Sequence, residues 1–115
     1  HPDVVAGVSY QSGEGRFRWL HAKGGATEDV LAAAKSHYAD VAWVVSRDEA
    51  IDGGWFGPRV TDAARKRLGD VALLPFTDTS FEDAGDTGPF QLVCRHGSLT
   101  EAEVDVPLLA FRSNA

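Results

Sequence analysis

Residues 41–54, VAWVVSRDEAIDGG, constrain the fold more than any other stretch of the chain. Five successive apolar residues leave no polar face, so 41–45 reads as a buried central strand covered on both sides. Ser46 and Glu49 then stand in the S-x-x-E spacing of a capping box, which opens a short helix that the Gly53-Gly54 pair stops. Such a strand, handing over directly to a capped helix, needs strands beside it and helices across its faces. A mixed α/β architecture follows.

The flanking sequence supplies those partners. Residues 4–10 and 16–23 read as two strands joined by QSGEG, a glycine-bearing hairpin loop. In the second strand Phe17, Trp19 and His21 share one face, and Arg16, Arg18 and Leu20 share the other. GGATEDVLAAAKSHYA follows as a helix with Thr27 as N-cap, acids in the first turn and an apolar stripe of Val30, Leu31, Ala34 and Tyr38. GWFGP makes a stiff aromatic turn, and Thr61 caps a second short helix running to Leu68, where Gly69 stops it. VALLPF, 71–76, is another strand, with Pro75 indicating an edge or a strand end. Trp43 is expected in the core.

The polar stretch TDTSFEDAGDTGP is long for a connection inside a small domain and reads as a crossover. Beyond it we expect a strand over 91–95, a helix from Thr100 in a T-E-A-E capping pattern, and a strand VPLLAF. The chain thus divides into a small α/β subdomain, 1–76, a crossover loop, 77–89, and a return segment, 90–115. The first part has a ferredoxin-like β-β-α-β-α-β order, and the strand-turn-helix-strand tail does not complete it.

Composition excludes several functions. At 115 residues the chain suits one domain, which buries roughly 65% of its unfolded surface. A net charge of −6 argues against a nucleic-acid surface, and the basic group Arg65 to Arg67 falls on an expected helix beside Asp62 and Asp70. No apolar run approaches the ~18 residues of a membrane span. A single cysteine, Cys94, forms no internal disulfide and suits a reducing, cytoplasmic setting. The chain holds no methionine and starts at His1, so we expect a processed chain or part of a longer one.

Few residues have catalytic character. Cys94 and His96 are two apart, but a closed zinc site needs four ligands and no second Cys/His pair exists. Glu82, Asp83 and Asp86 crowd one loop without the twelve-residue calcium pattern. His21 and His37 read as a strand-face and a helix-flank histidine. His96 stands out: it follows a strand, precedes a glycine and sits just before a helix start, where α/β sheets gather ligands.

The tail HGSLTEAEVDVPLLAF resembles the carboxy-terminal signature of the type I phosphodiesterase / nucleotide pyrophosphatase family, within the alkaline phosphatase superfamily. WVVSRDEAIDGGWFGPRVTDAARKRLGDVALLP is similar to the segment preceding that signature. The resemblance implies a phosphoester hydrolase with two zinc ions and a Thr or Ser nucleophile, acting on phosphodiesters or nucleotide pyrophosphates. It makes His96 a zinc ligand. The family's nucleophile, early aspartate, Asp-x-x-x-His pair and Asp-His-Gly element have no counterpart in these residues. The resemblance therefore implies the carboxy-terminal part of such an enzyme, inert alone. Its partner would be the remainder of the catalytic domain, and its last strand, belonging to an alkaline-phosphatase-like sheet, is expected to self-associate when that domain is missing. The alternative is a stand-alone binding module using Phe17, Trp19 and Trp55 around a ligand or partner.

Overall fold

The computed structural model describes residues 1–86 and 93–112. The chain order is α1 (Pro2–Ala6), β1 (Val8–Glu14), β2 (Phe17–Ala22), α2 (Thr27–Tyr38), β3 (Ala42–Ser46), α3 (Arg47–Asp52), α4 (Asp62–Arg65), β4 (Val71–Pro75) and α5 (Glu101–Val104). The strands form one antiparallel sheet in the order β1-β2-β4-β3, and the fold is α+β.

Strand alternation sends side chains to two cores. On one face Leu20, Val44, Val71 and Leu73 pack with Val4 of α1 and with Val30 and Ala34 of α2. On the other, Trp19, Ala72 and Leu74 pack with Ala50 of α3, supported by Phe17, Val45, Trp55 and Leu68. Full burial of each large aliphatic side chain stabilises by roughly 1.5–3 kcal/mol, so β4, buried along its whole length, anchors both layers. The β1–β2 connection is tighter than QSGEG suggests: Glu14 pairs with Phe17 across a two-residue turn. Gly13 has φ +85°, and a Cβ there would lie 2.2 Å from the Phe17 carbonyl oxygen, so glycine alone fits.

Four expectations change. Residues 41–45 do not form a central strand: β3 is an edge, β4 is central, and Trp43 is 39% exposed against Phe76 instead of lying in the core. Pro75, by contrast, stands where expected, at a strand end: it is the last residue of β4, a position at which a proline is compatible with a central strand. Residues 2–6 are helical, with Pro2 at the helix start and the His1 side chain as N-cap, and β1 begins only at Val8. The VPLLAF segment, 106–111, takes no strand and lies exposed. Of the strand expected over 91–95, residues 91 and 92 lie outside the described residues and 93–95 are irregular. Residues 87–89 of the crossover also lie outside them.

Candidate functional site

The arginine face of β2 organises the surface that carries His96. Sequence alternation places Arg18 beside Leu20, and the structure buries it to 1% exposure. A buried guanidinium is tolerable only when its donors are met. Nε and Nη2 of Arg18 donate to the Phe81 carbonyl oxygen at 3.1 and 2.8 Å, and Nη1 and Nη2 donate to the two Asp86 carboxylate oxygens at 3.1 and 2.5 Å. Arg18 thereby fastens the crossover, at Phe81 and Asp86, against the sheet.

Arg16, at the hairpin turn, does the same for the tail. Its Nε and Nη2 grip Glu103 at 2.9 and 2.7 Å in a bidentate pair, while Nη1 donates to the carbonyl oxygens of Thr77 and Thr79. The hydrogen bonds from Arg16 hold the Glu103 carboxyl down at about 2, despite the opposing effect of burial. Glu103 also accepts the Ser98 N–H at 3.2 Å and the Thr100 hydroxyl, and the buried Ser98 hydroxyl donates to the Pro75 carbonyl oxygen. Thr100 is the N-cap of α5 by position, yet its hydroxyl serves Glu103 instead of the helix N–H groups. The His-Gly turn is thus pinned from its carboxyl side, and Gly97 (φ +113°) lies where a Cβ would come within 2.9 Å of Glu14 Oε1.

His96 itself is exposed and makes no hydrogen bond or ion pair among the described residues. Cys94 is a free, exposed thiol lining a cavity of about 480 Å³ with Arg16, Asp78, Thr79, Arg95 and Glu103. His96 does not line it, and neither residue belongs to a group of three ligand-type side chains among the described residues. The acids of the 82–86 loop are engaged separately: Asp86 with Arg18, Glu82 with Arg95 at 3.5 Å and Asp83 with Gln11 at 3.4 Å. The Asp86 carboxyl is lowered chiefly by its hydrogen bonds from Arg18.

The other histidines divide. His21 hydrogen-bonds Ser12 Oγ at 2.8 Å and stacks on Tyr10, and burial lowers its pKa. His37 belongs to the one group of three metal-type ligands found among the described residues, with His1 and Asp3. Sequence reading missed that group because its members lie on α2, at the α1 N-cap and on α1, brought together only when α1 folds back on α2. Phe17 packs against both Trp19 and Trp55, with Trp19 buried in the second core and Phe17 and Trp55 partly buried against it. No described helix is long and apolar enough to cross a membrane.

No protein-family model, no curated protein and no solved structure matches this chain.

Proposed function

We propose that the chain is the carboxy-terminal part of a metal-dependent phosphoester hydrolase of the type I phosphodiesterase / nucleotide pyrophosphatase kind, and that His96 is one zinc ligand of its centre. The observation that carries this reading is the segment following the His-Gly turn. Val106, Leu108, Leu109 and Phe111 are 82–93% exposed, in sequence that resembles a sheet strand of that family. A contiguous apolar run left in water marks a surface made to be covered.

The residues present do not hold the two zinc ions by themselves. A catalytic zinc takes three protein ligands, and His96 belongs to no group of three ligand-type side chains among the described residues. What the chain contributes is position: the Arg16–Glu103 pair and the Ser98 hydroxyl fix the backbone on which an exposed imidazole stands. The nucleophile and remaining ligands belong to the rest of the domain, so the isolated chain is expected to be inert.

The test is to determine the mass of the native polypeptide bearing this sequence, then its zinc content and its hydrolysis of bis(p-nitrophenyl) phosphate. A longer species that carries zinc, hydrolyses the diester and loses metal and activity in His96→Ala supports the proposal. A native 115-residue species, or a longer one whose metal and activity survive His96→Ala, overturns it.

A further inference from the structure

We draw no further inference here: the strongest candidate, the exposed patch of Trp43 and Phe76 beside the outer edge of β3, is apolar surface, and nothing among the described residues shows what covers it.

Discussion

Glu103 ties the tail to the sheet through one ionised carboxylate, and this gives the chain an acid-labile point. Held at about 2 against an ordinary 4.5, it carries a folded-state value below its unfolded one. Its stabilisation is therefore complete above about pH 4.5 and is lost as pH falls towards 2. Asp86, lowered in the same direction by Arg18, adds to the trend. Acid titration should release the segment around Ser98 before the sheet melts, seen as loss of hydrogen-exchange protection at the Ser98 and Glu103 amides. Glu103→Gln should destabilise the neutral-pH protein by about 1–3 kcal/mol, since it leaves the Arg16 guanidinium without its charge partner. The variant should also flatten the acid limb. An acid profile unchanged by Glu103→Gln would show that the tail is held by other contacts.

Among the elements, α3 is where local chemistry and fold agree best. Ser46 Oγ accepts the Glu49 N–H at 3.1 Å, and Glu49 Oε2 accepts the Ser46 N–H at 2.6 Å, as the S-x-x-E spacing implies. The bond from the Ser46 backbone lowers the Glu49 carboxyl. Ser46→Ala should cost about 1 kcal/mol, read as a lower urea midpoint with an unchanged slope. The same local logic found α2, the Thr61 cap and the hairpin, because caps and turns are decided by neighbours in sequence, although Thr27 is the first helical residue of α2 and not its cap, which is Ala26 with no side-chain bond. It failed where partners are distant. Residues 41–45 and 71–75 are equally apolar, and only pairing with β2 makes the second run central. Helix α1 is five residues long and rich in Val, so neither length nor propensity reveals it; packing of Val4 under α2 decides it. For the sites, His96 was legible through its His-Gly setting. The cluster of His1, Asp3 and His37 was not, because no spacing rule connects Asp3 to a histidine 34 positions away.

At the scale of the whole molecule, the tail departs from compactness. The radius of gyration is 16.8 Å, against roughly 13 Å for a compact chain of this length, and the long axis reaches 65 Å. The apolar side chains of 106–111 contribute almost nothing to either core, so deleting residues 106–115 should change the unfolding free energy by no more than about 0.5 kcal/mol. Association should respond much more strongly. Among the described residues β3 has an unpaired edge beside the exposed Trp43 and Phe76, so an apolar segment with no strand of its own has somewhere to pair on a second copy. Sedimentation of the intact chain should show concentration-dependent self-association that the truncated chain lacks. If both are monomeric, the segment is harmless in water, and its exposure no longer argues for a missing sheet. If both associate equally, the contact lies in the β1–β4 body instead. Association confined to the intact chain would place the adhesive surface in 106–115, beyond α5, where the proposed hydrolase would bring the rest of its catalytic domain.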